Sequence, residues 1–162
     1  MRCYLFCSAT EFVCASWRCP QLNNLDAFKK CDSLQKLEIG NCDNMTHIAG
    51  SDLHTPSNLE RLEIRSCDRL KSLKGIEKFR NLEKLTIANC EQLSDISQLT
   101  KHPGIKWIHF YSCPKLTDPN FIRDLKDVSS VSFGRTPIPV EVLKKLAEEV
   151  SVRIILDGKE VE

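Results

Sequence analysis

Long apolar stretches are absent from this sequence of 162 residues. No run approaches the ~18 apolar residues of a membrane-spanning helix, so we expect no membrane span. The N-terminal stretch has one basic residue, and Ser8, Thr10 and Glu11 interrupt its apolar character early, which makes it a poor signal peptide. An excess of one charge sign is also lacking. The net charge of +1 gives no global reason to expect a nucleic acid or an acidic membrane as the partner.

Glycine and histidine are too few or too scattered to suggest catalysis. The six glycines form no glycine-rich cradle for a phosphate group, and neither a P-loop nor an H-E-x-x-H motif is present. The histidines His47, His54, His102 and His109 have no carboxylate or cysteine partner at a recognisable catalytic spacing. We therefore expect no enzymatic activity and no bound cofactor.

Cysteine is plentiful, but its count of nine is odd, so a disulfide-bonded secreted fold would leave at least one thiol unpaired. Four cysteines recur at the spacing of a repeat: Cys42, Cys67, Cys90 and Cys113. This regularity favours reduced, buried, structural thiols and a cytoplasmic protein. The others are spaced irregularly and could form a disulfide or zinc cap, although an incomplete cap is favoured: Cys3, Cys7, Cys14, Cys19 and Cys31.

The repeat becomes visible when the chain is compared with itself. Four segments align without gaps: LQKLEIGNCDNM (34–45), LERLEIRSCDRL (59–70), LEKLTIANCEQL (82–93) and IKWIHFYSCPKL (105–116). Their starts lie 25, 23 and 23 residues apart, and a fifth copy begins at Val128. A half-unit follows from Ser151, and a degenerate unit surrounds Cys19, because Glu11 and Ser16 stand where apolar residues belong. The two extra residues of the first unit are expected in a surface loop at 50–58.

The spacing within one unit explains why the units must stack. Leu37 and Ile39 alternate with polar neighbours, which predicts a short strand with one buried face. Successive strands would lie parallel, about 4.8 Å apart. Between strands, apolar anchors such as Leu70, Leu73, Ile76 and Phe79 predict short helical turns. One unit cannot cover its own apolar residues, so its neighbours must do so.

The pattern L-x-x-L-x-L/I-x-x-C-x-x-L resembles that of the leucine-rich-repeat family over roughly 34–156. Shorter stretches resemble its classes: CPKLTD those of F-box-type proteins, LSDISQL those of internalins and phosphatase-regulating solenoids, and LEIRSCDRLKSL those of plant disease-resistance receptors. The resemblance implies an α/β solenoid, a right-handed βα superhelix with a curved parallel sheet on its concave face and short helical or irregular convex segments. It also implies an interaction scaffold, such as the recognition part of a receptor or adaptor.

We divide the chain into a degenerate N-terminal repeat or cap (1–33), the repeats (34–135) and a C-terminal helix with a capping strand (136–162). The repeat units are 34–58, 59–81, 82–104, 105–127 and 128–135, the last being the start of the fifth. The helix is expected at about 139–149, with an apolar stripe of Val142, Leu143, Leu146 and Val150. A strand through Ile154 and Leu156 should follow, with a hairpin turn at Asp157-Gly158 that folds the last residues back.

Strand alternation places the third, fifth and seventh residue of each unit on the exposed face of the sheet. In the fourth unit these residues are Trp107, His109 and Tyr111. Exposed Trp and Tyr are unusual unless something covers them, and they dominate binding hot spots. With Arg61, Arg65 and Lys84 on neighbouring strands, they form our predicted partner-binding site. The alternative is that the C-terminal tail, or a misregister toward the convex side, buries the aromatic residues.

The four recurring cysteines are not expected to bind metal, because sulfurs stacked one per strand cannot converge into a tetrahedral zinc site. Thr136 takes the cysteine position in the fifth unit, where its hydroxyl is expected to bond to backbone.

The sequence favours a protein partner, with the chain monomeric or part of a larger assembly. The alternative is an RNA- or DNA-binding surface, which would use the basic column of Lys36, Arg61 and Lys84 with the aromatic residues. Nucleic acid is disfavoured, because Glu38 and Glu63 stand beside that column and would repel phosphate.

Overall fold

The computed structural model describes residues 4–8, 13–28, 31–49, 56 and 58–161. The described chain forms one sheet of nine strands, which follow one another across the sheet in sequence order. The strands are β1 (Tyr4–Ser8), β2 (Val13–Trp17), β3 (Lys36–Gly40), β4 (Arg61–Arg65), β5 (Lys84–Ala88), β6 (Trp107–Tyr111), β7 (Ser130–Gly134), β8 (Arg153–Leu156) and β9 (Lys159–Glu160). This is an α/β protein with a mostly parallel sheet and few helices.

The strands β2 to β8 are parallel, whereas β1 and β9 pair antiparallel with their neighbours at the two ends. The register joins equivalent positions of the repeat. Arg61 lies opposite Lys84, which lies opposite Trp107, and Leu62, Leu85 and Ile108 follow the same order. The parallel strands and the alignment predicted from the repeat are therefore confirmed.

The core follows from the alternation along each strand. One column of side chains is fully aliphatic and buried: Leu37, Leu62, Leu85, Ile108 and Val131. A second buried column changes along the sheet from isoleucine to phenylalanine: Ile39, Ile64, Ile87, Phe110 and Phe133. The rings of Phe110 and Phe133 stack at 6.0 Å between centroids. Each strand thus covers the apolar side chains of the next.

Short 3₁₀ helices carry the chain between strands: Leu25–Phe28, Ile76–Lys78, Ser97–Lys101 and Asn120–Asp124. The predicted anchors of one such segment, Leu70, Leu73, Ile76 and Phe79, are all buried. The predicted loop at 50–58 lies largely outside the described residues. Among the described residues, every helix is too short or too polar to cross a lipid bilayer.

The chain leaves each parallel strand through a residue with positive φ that is not glycine. Examples are Asn41 (54°), Ser66 (51°), Asn89 (53°) and Ser112 (49°). Each donates its backbone N–H to a carbonyl on the following strand; for Ser66 the acceptor is Ala88, at 2.9 Å. Such a conformation costs on the order of 1 kcal/mol, and the added hydrogen bond offsets part of it. The bonding ladder therefore extends one residue beyond the strands.

The C-terminal end largely follows the prediction. The helix α1 runs over Val140–Ala147, shorter than the predicted 139–149, and buries Leu143 and Leu146. The assignment of Val142 to the apolar stripe was wrong, since its exposed fraction is 43%. Val142 directly precedes Leu143, so it points about 100° away from that residue around the helix, toward solvent. The hairpin between β8 and β9 is confirmed, and Val161 folds back to bond with the carbonyl of Ile154.

The N-terminal end differs from the prediction more. The strand β1, which the sequence did not suggest, forms a hairpin with β2. Ser16, which had indicated a damaged strand, pairs in register with Ile39. Cys19 is disulfide-bonded, so the disulfide alternative left open for this end applies to that residue. Glu11, Cys3 and the other masked positions of this end lie outside the described residues.

Candidate interaction surface

The predicted aromatic residues lie on the exposed face of the sheet, which carries the third, fifth and seventh residue of each unit. Strand β6 alternates as expected, with Ile108 and Phe110 buried. Trp107 has an exposed fraction of 43%, whereas His109 and Tyr111 are each partly buried. Trp107 is therefore the aromatic side chain of this strand most open to a partner.

Trp107 borders a cleft at the start of three neighbouring strands, which we call the tryptophan cleft. Its volume is about 340 Å³, and its lining residues are Glu60, Arg61, Glu83, Lys84 and Trp107. Arg61, Lys84 and Trp107 are the first residues of β4, β5 and β6 and lie opposite one another in register. The structure thus brings three of the six predicted site residues together.

A second cleft of about 420 Å³ shares Glu60 and Glu83 with the first. Lys106 lines it, and its Nζ lies 2.5 Å from Glu83 Oε1 and 5.9 Å from the centre of the Trp107 ring. The sequence interpretation missed Glu60, Glu83 and Lys106, because it considered only the third, fifth and seventh positions. A signal was present, since these residues occupy the second position of successive units and all carry charge.

The cations of the exposed face differ in how they are compensated. Lys36 pairs with Glu38 at 2.5 Å, and Arg65 pairs with Glu63. Among the described residues, neither Arg61 nor Lys84 forms an ion pair or a side-chain hydrogen bond. The predicted site therefore contains two uncompensated cations beside Trp107 and a third, Arg65, that its own strand already neutralises.

Tyr111 sits at the other end of β6, about 13 Å from Trp107 along the strand. Its register neighbours are Ala88, which has only a methyl group, and Gly134, which has no side chain, so there is room for the ring. A Cβ atom on Gly134 would lie 2.6 Å from Tyr111 Cδ2, so the ring lies directly over the backbone of β7. The guanidinium of Arg135 stands 5.4 Å from the ring centre. The protein itself therefore covers part of Tyr111.

His109 lies between Trp107 and Tyr111 on the same face. Burial lowers its pKa, and the positive charges of Lys84 and Arg65 lower it further, while Glu63 acts in the opposite direction. The imidazole is therefore neutral at neutral pH. It can donate or accept a hydrogen bond there, but it adds no positive charge to the surface.

The four recurring cysteines are reduced and fully buried. The thiols of Cys42, Cys67 and Cys90 each donate to the backbone carbonyl two residues earlier, at 3.3, 3.5 and 3.5 Å. Burial raises the pKa of Cys90 to about 12 and also raises the pKa of Cys113. Within the described part of the chain, no three or more metal-ligating side chains converge. A hydrogen bond with Cys67 instead lowers the pKa of Cys42 to about 7, but all four thiols are enclosed in the core and pack there.

Thr136, which takes the cysteine position in the fifth unit, behaves differently. Its hydroxyl oxygen is buried and has no hydrogen-bond partner. The expectation that this hydroxyl would bond to backbone was therefore wrong. Arg135 keeps the positive φ of the preceding turns, but the hydrogen bond that closes each of those turns from the residue three positions after the cysteine cannot form here, because Pro139 has no N–H.

The sequence was compared with known proteins. No protein-family model and no curated protein matches it.

Proposed function

We propose that this chain is a leucine-rich-repeat solenoid that binds a protein partner on the concave, exposed face of its sheet. The in-register stacking of equivalent positions supports this interpretation. So do the 3₁₀ connections between strands and the buried cysteine column. In such a scaffold the buried columns build the fold and leave the exposed columns available for recognition.

One observation carries the binding proposal. Trp107 is a large aromatic side chain, 43% exposed, and it borders a cleft that also holds two uncompensated cations, Arg61 and Lys84. Tryptophan and arginine are the residue types enriched in binding hot spots, where a partner excludes water from them. Without a partner, this surface leaves both the indole and the charges in contact with solvent.

The same observations favour binding over catalysis. The repeat cysteines are fully buried, and His102, which is buried, and His109, which is partly buried, have lowered pKa values without an acidic partner bonded to them. We propose an interaction scaffold without enzymatic activity, acting as a monomer or within a larger assembly.

Affinity capture tests the proposal. Wild type, W107A and W107A/Y111A are used as baits in parallel, and captured proteins are quantified by mass spectrometry. Val142→Ser is the matched control, because Val142 is equally exposed but lies on α1. We expect a partner retained by wild type and V142S and lost from both tryptophan variants. It is then purified and titrated against each bait.

The measurement includes a folding control, since Trp107 could instead serve the core. Each bait should show the same far-ultraviolet circular dichroism and a similar melting temperature. If W107A unfolds, or if it binds the partner as tightly as wild type does, the proposal is wrong.

Nucleic acid is the second candidate, and one observation favours it: Arg61 and Lys84 lie beside an exposed aromatic ring on which a base could stack. Glu60, Glu63 and Glu83 oppose it, because they line or adjoin the same surface. Titration of a fluorescent single-stranded 12-mer at two salt concentrations tests it. Tight binding that weakens steeply with salt, and weakens further in R61Q/K84Q, would favour this candidate over a protein partner.

A further inference from the structure

We propose that the tryptophan cleft takes an acidic peptide segment of the partner, in which a carboxylate binds Arg61 and Lys84 while an adjacent apolar side chain packs on Trp107. This inference rests on the proposed function and specifies the chemistry of the partner. It follows from the charges and contacts of the cleft rather than from the fold.

Arg61 and Lys84 place two positive charges side by side on neighbouring strands. They are directly opposite in the register of β4 and β5, so their backbones are separated by one strand spacing, about 4.8 Å. Like charges directly opposite one another on a sheet destabilise it. Among the described residues, no carboxylate pairs with either cation, although Lys36, Arg65 and Lys106 are each paired. Within the described chain, neither cation is therefore neutralised by an ion pair.

The described carboxylates near Arg61 and Lys84 do not form ion pairs with them. Glu63 stands two residues from both Arg61 and Arg65, and its carboxylate pairs with Arg65. Glu83, which also lines the cleft, is held by Lys106. The strand of Lys84 carries Thr86 where β3 and β4 carry a glutamate. Glu63 and Glu83 are thus engaged by other cations, and Glu60, which also lines the cleft, pairs with neither Arg61 nor Lys84.

The charge of the cleft suits a carboxylate better than it suits the phosphate backbone of a nucleic acid. Arg61 and Lys84 contribute two positive charges to the cleft, Glu60 contributes one negative charge, and Lys106 offsets the charge of Glu83. One carboxylate complements the remaining single positive charge. A nucleic acid would instead bring a phosphate every few ångströms along its strand and force some of them against Glu60 and Glu63. An arginine guanidinium binds a carboxylate with two parallel hydrogen bonds, which suits a single acidic side chain.

The peptide residue next to the acidic one would contact Trp107. The exposed indole of Trp107 lies opposite Lys84 in the register and borders the same cleft. A peptide whose acidic side chain reaches the cations therefore passes over the indole within one or two residues. An aromatic or large aliphatic side chain at that point removes apolar surface from water. The expected motif is an Asp or Glu next to an apolar residue.

Display of random dodecapeptides on immobilised wild-type protein tests the proposal. Selected peptides should be enriched in Asp or Glu adjacent to an aromatic or large aliphatic residue. A synthetic peptide from the selection is then titrated by fluorescence anisotropy against wild type, R61Q/K84Q and W107A. The control is K101Q/K126Q, which removes the same charge at exposed lysines outside the cleft.

We expect R61Q/K84Q to bind the selected peptide at least about tenfold more weakly than wild type, and K101Q/K126Q to match wild type. Wild-type affinity should fall as salt rises, whereas that of R61Q/K84Q should change little. Replacing the acidic residues of the peptide by their amides should have the same effect as R61Q/K84Q.

Three results would overturn the inference: selected peptides without acidic enrichment, no selected peptide at all, or unchanged binding by R61Q/K84Q. Tighter binding of a random single-stranded 12-mer than of the selected peptide would also overturn it. The proposed function is judged separately by the captured partner. If W107A loses that partner but R61Q/K84Q keeps it, the scaffold proposal stands and the acidic motif is wrong. If neither variant loses it, both proposals are wrong.

Discussion

The buried and exposed faces of β3 to β7 are built from alternate residues of the same strands, yet they differ in their variety. At the buried position after the strand start, every unit carries a branched aliphatic residue: Leu37, Leu62, Leu85, Ile108 and Val131. At the exposed position beside it, the residues are Lys36, Arg61, Lys84, Trp107 and Ser130. Close packing restricts the first column. Solvent exposure leaves the residues of the second column free to differ from unit to unit, which is why we place the proposed recognition surface there.

The largest expected difference between the two faces is in the free energy of unfolding after substitution of two adjacent residues, Leu85 and Lys84. Leu85→Ala should lower the free energy of unfolding by about 2–5 kcal/mol, because it leaves a cavity between two coils. Lys84→Ala, one residue earlier but exposed, should change it by less than about 0.5 kcal/mol. Urea unfolding followed by circular dichroism measures both. Equal effects of the two substitutions would contradict the assignment of faces.

A buried polar residue of the connecting segments should give the next largest effect. His102 accepts hydrogen bonds at Nδ1 from the backbone N–H groups of Gly104 and Ile105, and its Nε2 lies 3.0 Å from the carbonyl of Phe79. His102→Ala leaves two buried donors without partners, and we expect a loss of about 1–3 kcal/mol. Lys101→Ala, the exposed neighbour, is the control. Equal stabilities of these two variants would show that the bonds do not stabilise the fold.

His102 should also make the stability of the protein depend on pH. Burial lowers the pKa of His102 below its ordinary 6.5, so the folded state binds fewer protons than the unfolded state beneath that pH. The stability that the neutral imidazole contributes is complete above about pH 6.5 and is lost as the pH falls toward the lowered value. The stability of wild type should therefore decline between pH 7.5 and 5.5 more than that of H102A. His109 acts with the same sign, so a smaller slope should persist in the variant. Parallel slopes for the two proteins would contradict the role of His102.

A stabilising change is expected where the repeat pattern ends. The hydroxyl of Thr136 is buried without a hydrogen-bond partner, so Thr136→Val should raise the free energy of unfolding by about 1 kcal/mol. The thiol of Cys113 donates to the carbonyl of Tyr111, at 3.5 Å, and Cys113→Val should give no such gain. Thermal unfolding compares the two. A loss of stability in T136V would show that the hydroxyl has a partner in solution.

The smallest expected effect belongs to the residue with the largest proposed role. Trp107→Ala should change the free energy of unfolding by less than about 1 kcal/mol, because much of the ring already contacts water. Phe110→Ala on the same strand removes a fully buried ring and should cost about 3–5 kcal/mol. A comparable loss in both variants would move Trp107 from the recognition surface to the core.

The sheet and its register could be predicted because both follow from a period that the sequence displays directly. The pairing of charges could not. Glu63 has an arginine two residues away on each side, and only its side-chain conformation decides that Arg65 is neutralised and Arg61 is not. The clefts were missed for another reason. Glu60 and Glu83 precede the strands, where alternation no longer states which way a side chain points.

The N-terminal hairpin escaped prediction because β1 pairs with β2 outside the repeat, so no periodic signal marks it. The wrong assignment of Val142 to the apolar stripe of α1 had a different cause. Val142 fits an apolar stripe by residue type, but the helix buries Leu143 and Leu146, packs Ala147 partly against the core and leaves Val142 exposed. Local pattern identifies an amphipathic segment more reliably than it identifies the residues that become buried.

The sheet joins each strand only to its neighbours in the chain, and this affects how order is lost. No long-range strand crossing ties the two ends together within the described sheet, so disruption that starts at a terminal hairpin can proceed strand by strand toward the middle. The strands β4, β5 and β6 stand at the centre of that sequence, and we expect them to separate last. The binding surface that we propose across these three strands would keep its shape while either end of the protein frays.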